Sequence, residues 1–387
     1  MSSTPVRRVT DVRRTLARPF VALVLLMTTL ASFGTATTLA QSSELSAYVW
    51  ANDPLADSYT PDERYQFNST SVANTITHTG IGTYTVALPG MGTTGNIQIT
   101  ATSGNNEAAP FAIGHSCEIA GEPTSQNGAA QIGVVCTDLS GAAVDTGFML
   151  LYVQGNTFLG AFGSSAYLWA NDPAAESYTP EAAFNFNSTD VANTITRQDV
   201  GTYIATLPGA GVEDGTIQVS ASNVYPGTSC TASRWELTAD GSKNVTVLCY
   251  DATGALVDAS FELFHGVGST SSDVAMIWAT GAYVWVNHGE AAPRYTPGAN
   301  FQYNAAGGAI EAERQEAGIY EVYIPGVGID GGVFLVTAFG TETAATACSV
   351  RTWDIFEGDI IASVNCFAPD GTPTDSRFML SYTYPEA

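Results

Sequence analysis

The chain has 387 residues, 45% of them hydrophobic, with 38 glycines and 13 basic residues against 37 acidic ones, a net charge of −24. That length suits two to four domains, and the apolar share is that of a globular protein rich in turns. The acidity excludes a nucleic-acid or anionic-membrane surface, since both need an excess of Lys and Arg.

Residues 1–40 read as a signal peptide. Arg7, Arg8, Arg13, Arg14 and Arg18 precede the apolar run FVALVLLMTTLA, and small residues lead to a cleavage point after Ala40. The paired arginines of VRRTLA also allow a twin-arginine reading. The apolar run, about 12 residues, is short of the roughly 20 needed to span a bilayer. Residues 1–40 hold five of the 13 basic and one of the 37 acidic residues, so the remainder carries eight against 36, a net −28. This predicts an extracellular or cell-surface protein with no membrane span after cleavage. Its surface charge serves solubility, with divalent cations or basic partners as the sharper reading.

The phrase AYVWANDP at 47–54 returns as AYLWANDP at 166–173 and as AYVWVNHG at 282–289. Each is followed by YTP, then a G-x-Y…PG stretch (GTYTVALPG, GTYIATLPG, GIYEVYIPG), then GNIQITA, GTIQVSA or GGVFLVTA. Two cysteines follow in every copy, and after the second comes a Gly, an Asp and a Phe: Gly141, Asp145 and Phe148; Gly254, Asp258 and Phe261; Gly371, Asp375 and Phe378. Units of about 105 residues have the size of a small domain, not of a solenoid repeat. We place them at 41–157, 158–270 and 271–387, with linkers near 153–165 and 267–281 and a candidate extra strand in VAMIWATG.

Within each unit the period is two. Tyr84, Val86 and Leu88 alternate with Thr83, Thr85 and Ala87; Ile97 and Ile99 alternate with Asn96 and Gln98; Ile132, Val134 and Cys136 share a face, as do Phe148, Leu150 and Tyr152. PG and D-x-x-G turns punctuate the strands. The pattern predicts an all-β fold of three tandem antiparallel β-sandwich domains, immunoglobulin-like in the loose sense, each with one dry and one wet sheet face.

The six cysteines of a secreted chain imply disulfides, and the repeat selects Cys117–Cys136, Cys230–Cys249 and Cys348–Cys366, spaced 19, 19 and 18 residues apart. Each closed loop contributes on the order of 3 kcal/mol. The spacing does not suit a zinc site.

Catalytic signatures are weak. His78, His115, His265 and His288 occupy no equivalent positions, and no HExxH or GxSxG occurs. The D-T-G of VDTGF is written VDASF and TDSRF in the sister copies, so it reads as a turn rather than half of an aspartic-protease dyad. Asp53 with Asp57, or Asp172 with Glu176, offer paired carboxylates for a carbohydrate-active hydrolase. The same NDPLAD and NDPAAE loops offer oxygen ligands, so calcium is a possible cofactor, against the plainer reading of an Asn/Asp-Pro turn. No metal ligand set is assigned and none of these residues is called catalytic.

The binding candidates are Tyr48, Trp50, Asn52 and Asp53; Tyr167, Trp169, Asn171 and Asp172; and Tyr283 and Trp285. Aromatics two apart share a strand face, where they form either a stacking platform for sugar or a sandwich core, the latter favoured because all three copies keep them. NST at 68–70 and 187–189 and NVT at 244–246 match the N-glycosylation pattern.

The phrases AY-W-N-P, YTP, G-x-Y…PG and C-x-D-x-x-G together resemble repeats of uncharacterised secreted bacterial β-repeat proteins. The resemblance spans nearly the whole chain after residue 40, implies secretion and tandem β-units, and carries no activity or site. The third copy departs from it at His288-Gly289, where Asp-Pro is lost. The expectation is therefore a secreted or cell-surface, non-catalytic structural or interaction protein whose partner is an extracellular protein or glycan. The alternatives are a carbohydrate- or calcium-binding protein and, behind it, a hydrolase.

Overall fold

The structure is a computed structural model and describes residues 44–102, 114–155, 162–222, 227–268, 279–290, 293–340 and 345–385. The expected signal peptide and most of VAMIWATG lie outside the described residues. Strands reach into both expected linkers, as Phe162–Ala170 and Ala279–Val286. Among the described residues the helical segments are three single 3-10 turns, so the fold is all-β.

Each repeat forms two antiparallel sheets. In the first, one sheet runs in the order Gln66–Asn68, Leu45–Ala51, Gly147–Gln154, Asn96–Thr102, and the other Ser58–Tyr59, Thr75–Gly80, Thr83–Pro89, Ala129–Asp138, His115–Ile119. Alternation sets what lies between them: Ala47, Val49, Ile97, Ile99, Phe148, Leu150 and Tyr152 meet Tyr84, Val86, Leu88, Ile132 and Val134 in one buried cluster. The second repeat builds the same cluster from Leu168, Ile217, Val219, Tyr203, Leu207 and Val245. All three disulfides form within repeats as the spacing predicts. Each joins directly opposed residues of neighbouring strands in one sheet, Cys117 facing Cys136, Cys230 facing Cys249 and Cys348 facing Cys366. The bridge of antibody domains runs between sheets instead.

The wet face expected of Asn96–Thr102 is not wet. Asn96 and Gln98 are 0% and 1% exposed, and Thr216, Gln218, Ser220 and Thr337 are equally enclosed. The reason lies in the packing of the repeats on one another. Asn96–Thr102, Thr216–Ala221 and Val333–Phe339 touch one another at the centre of the molecule, and we call them the axial strands. Each stands at the edge of its own sheet and abuts the next repeat's second sheet through a parallel bridge: Thr102 with Val350, Phe339 with Ala232, Ser222 with Ile119. The contacts close a ring, first repeat to third, third to second, second to first. Residues 42–387 accordingly form one compact unit.

Alternate backbone N–H groups of an edge strand have no strand partner, and here side chains of another repeat take them. Ile99 donates to Ser220 Oγ (2.9 Å), Val219 to Thr337 Oγ1 (2.9 Å) and Val336 to Thr100 Oγ1 (3.0 Å). Two residues earlier on each strand and across the same boundary, Ile97 donates to Glu262 Oε2, Ile217 to Met379 Sδ and Phe334 to Met149 Sδ. The hydroxyls pass their protons on, Ser220 to Gln98 Oε1 and Thr337 to Gln218 Oε1, both at 2.9 Å. The third position is Leu335, so no glutamine there accepts from Thr100.

That asymmetry makes a test. Thr337→Val strands both the Val219 N–H and Gln218 Oε1, whereas Thr100→Val strands the Val336 N–H alone. In urea unfolding, Thr337→Val is expected to cost about 1–3 kcal/mol more than Thr100→Val, the penalty for one more buried unpaired group.

Candidate functional site

The aromatic candidates sit where the repeats meet. On Leu45–Ala51 the side chains of Ala47, Val49 and Ala51 face the first repeat's own core, which turns Tyr48 and Trp50 toward the neighbouring repeat. Trp50, 2% exposed, packs edge-on against Tyr65 at 4.3 Å and against Trp353 of the third repeat at 4.5 Å. Trp285 does the same against Phe301 and against Trp235 of the second repeat at 4.7 Å. Trp169 meets Phe184, and the first repeat reads Ala120-Gly121-Glu122-Pro123 where the others place Trp235 and Trp353. Tyr48, Tyr167 and Tyr283 are buried and their hydroxyls accept N–H bonds from Gly332, Gly155 and Gly268, each in another repeat. Apart from Trp169, whose ring contact lies within its own repeat, these rings fasten repeat to repeat, and none forms a solvent-facing platform.

Asp53, Asn171 and Asp172 are exposed and Asn52 is half-buried. The backbone N–H groups of Asp53, Asp172 and His288 donate to the hydroxyls of Tyr59, Tyr178 and Tyr295, so the tyrosine of each YTP phrase fastens this turn. Asp57 and Glu176 are also exposed. Among the described residues no group of three or more His, Cys, Asp or Glu is placed to hold a metal ion.

The aspartates shared by all copies have a common task. Asp258 accepts two hydrogen bonds from Arg197 (2.9 and 2.8 Å), one from the Gly201 N–H (2.9 Å) and one from Tyr203 (3.1 Å). Asp375 repeats this with Arg314, Gly318 and Tyr320, and Asp145 with His78, Gly82 and Tyr84. The glycine is required: Gly82, Gly201 and Gly318 have φ of +64°, +62° and +68°, and a Cβ would lie 2.4–2.7 Å from the carbonyl oxygen of the second cysteine. The tyrosine hydroxyl in turn accepts the N–H of Thr146, Ala259 or Ser376. The D-T-G of the first copy is thus a strut between a hairpin and the last strand. The Arg197 guanidinium holds the Asp258 carboxyl below its ordinary range.

The NST pattern has a structural meaning as well. Asn68 Nδ2 donates to Asn74 Oδ1 and the Pro89 carbonyl while its Oδ1 accepts from the Thr70 N–H and hydroxyl, and Asn187 repeats all four bonds. Both hydrogens of the amide nitrogen, one of which a glycan would displace, are engaged in a buried site.

Among the described residues, four acidic or basic side chains are buried in a way the sequence did not announce: Glu118, Lys243, Glu262 and His265. A signal was present, since each breaks its repeat column. Glu262 stands where the others have Met149 and Met379, His265 where they have Tyr152 and Tyr382, Lys243 where they have Ala130 and Ile360, and Glu118 where they have Thr231 and Ser349. Lys243 and His265 compensate each other. Tyr152 donates to the Thr94 carbonyl, and in the second repeat the Lys243 ammonium takes that role on the Asp214 carbonyl at 2.9 Å, 3.5 Å from His265 Nε2. Burial pushes Lys243 down to about 7, and burial and then Lys243 push His265 well below its usual value.

A recess beside this framework has the size of a small-molecule site. A cavity of about 390 Å³ in the third repeat is lined by Asn287, His288, Glu290, Phe339, Asp375 and Arg377. It lies where the Asp-Pro of the other copies is lost. Asn287 Oδ1 is buried there with no hydrogen-bond partner among the described residues, while Arg377 is tied to the Gly340 carbonyl.

Asp258→Ala, leaving Arg197, Gly201 and Tyr203 without their acceptor, is expected to cost about 2 kcal/mol or more. Because this carboxyl is depressed in the folded chain, its contribution is present above the unfolded value and lost as pH falls through the folded one. Acid titration of melting should therefore show a smaller loss below about pH 4 in the variant than in the parent. No protein family, curated protein or solved structure matches the chain.

Proposed function

We propose that the chain is a secreted or cell-surface, non-catalytic structural or interaction protein, made of three β-sandwich units of loosely immunoglobulin-like kind. The observation that supports this most is what the three copies hold in common. Asp145, Asp258 and Asp375, Tyr84, Tyr203 and Tyr320, and the paired aromatics of the first strand all act in holding strands or repeats together. Repetition has multiplied fastening points. The turns and loops that differ between copies are left to face partners, and a rigid ring presents them with little ordering cost on binding. Disulfides within each repeat suit an oxidising compartment.

The cavity beside His288 favours a second reading, in which the third repeat takes a small polar ligand such as a saccharide. Its lining offers donors and acceptors and charged side chains of both signs, Glu290 and Asp375 with Arg377.

Incubation with a polysaccharide panel is expected to give no turnover. Hydrolysis abolished by Asp53→Asn with Asp57→Asn would displace the structural reading in favour of a hydrolase. Calorimetry against the same panel addresses the cavity: saturable heat lost in His288→Ala with Glu290→Gln establishes a ligand site there, and a flat response removes the second reading.

A further inference from the structure

The ring has three seams, and one is unlike the others. At the seams of the third repeat, tryptophans meet across the boundary, Trp50 on Trp353 and Trp235 on Trp285, and the axial N–H groups of Phe334 and Ile217 rest on methionine sulfur. The seam between the first and second repeats has no such tryptophan pair among the described residues. It holds two buried acids instead, one sent from each side. Glu262 of the second repeat, 3% exposed, accepts the N–H of Ile97 in the first. Glu118 of the first, 2% exposed, accepts the N–H of Gly227 in the second at 2.9 Å, and its other oxygen, Oε2, has no partner among the described residues.

We propose that this seam is the ring's pH-operated joint, closed while Glu118 and Glu262 are neutral acids and loosened when they ionise, with the two tryptophan seams holding. A buried carboxylate is tolerated when a cation or donors to both its oxygens meet it; among the described residues no cation meets either acid, and their donors are backbone N–H groups. Around Glu118 stand the backbone groups of Gly227 and Thr228. On its own strand, His115 faces Asp138. Around Glu262 stand the Ile97 N–H and the phenols of Tyr152 and Tyr167, both of which burial keeps neutral. Lys243 and His265, in the same repeat as Glu262, are engaged with each other and with Asp214.

Burial raises Glu118 to about 8 and Glu262 well above its ordinary value. A raised carboxyl contributes stability that is full below the unfolded value near 4.5 and is lost as pH rises through the folded one. Lys243, lowered to about 7, works in the opposite sense, so the comparison is between variants at each pH.

Thermal melts of the full chain from pH 5 to pH 9 should show the parent losing about 5 °C or more relative to Glu118→Gln with Glu262→Met across that interval. Hydrogen exchange, corrected for intrinsic rate, should show protection lost at pH 9 in 114–120 and 216–222 while 350–353 and 232–235 keep theirs. Parallel slopes in parent and variant, or equal loss at all three seams, would overturn the proposal. Should the double variant fail to fold, Glu118→Gln alone retains the oxygen that accepts from Gly227 and is judged by the same slope.

Discussion

The structure depends on how three edge strands are satisfied. Asn96–Thr102, Thr216–Ala221 and Val333–Phe339 each pair on one side within their own repeat and turn the N–H groups of the other side toward a neighbour. An unpaired buried N–H costs about 1–3 kcal/mol. The six axial groups named above thus represent on the order of 10 kcal/mol, comparable with the whole stability of a typical domain. Side chains from another repeat remove that cost, which makes every repeat part of the others' secondary structure. The aromatic pairs follow from the same geometry, since a sheet whose edge abuts a neighbour presents its outer face to that neighbour too.

Much of the fold was legible in the sequence. Period-two alternation located the strands and the two-sheet cores, and the spacing of the cysteines paired them correctly. Three features were not legible, for physical reasons. Alternation of Ile97 and Ile99 with Asn96 and Gln98 identifies two chemically different faces, but a polar face can be satisfied by protein as well as by water. Nothing in one strand distinguishes the two. Trp50 and Tyr48 looked like core or platform because an isolated β-unit offers those choices; repeats packed on one another add a third environment, the boundary. The NST phrase matched a modification signal because the residues that suit an acceptor site, an Asn with a hydroxyl two residues on, also build a closed turn, here completed by Asn74 and Pro89.

The candidate functional features lie where the threefold pattern fails. In the columns shared by all copies, aspartate, tyrosine and glycine fasten strands. Chemistry that fastening does not explain enters one copy at a time: the cavity beside His288, and the four ionisable groups in otherwise apolar or hydroxyl-bearing columns. Lys243 shows how such a departure is absorbed, since the chain's single lysine fills the space and reproduces the hydrogen bond of a tyrosine hydroxyl. Glu118 and Glu262 are not absorbed in that way, and they concentrate at one boundary. The common residues thus serve the architecture, and the singular ones carry what distinguishes one repeat from the next.

Native-state hydrogen exchange read amide by amide tests the central claim most directly. If the repeats complete one another, then at about pH 5, where all three seams are closed, the amides of Ile97, Ile99, Ile217, Val219, Phe334 and Val336 exchange as slowly as those of the disulfide-linked strands, through one cooperative opening of the whole ring. Rapid exchange at these six positions, at the rate of a free sheet edge, would contradict it.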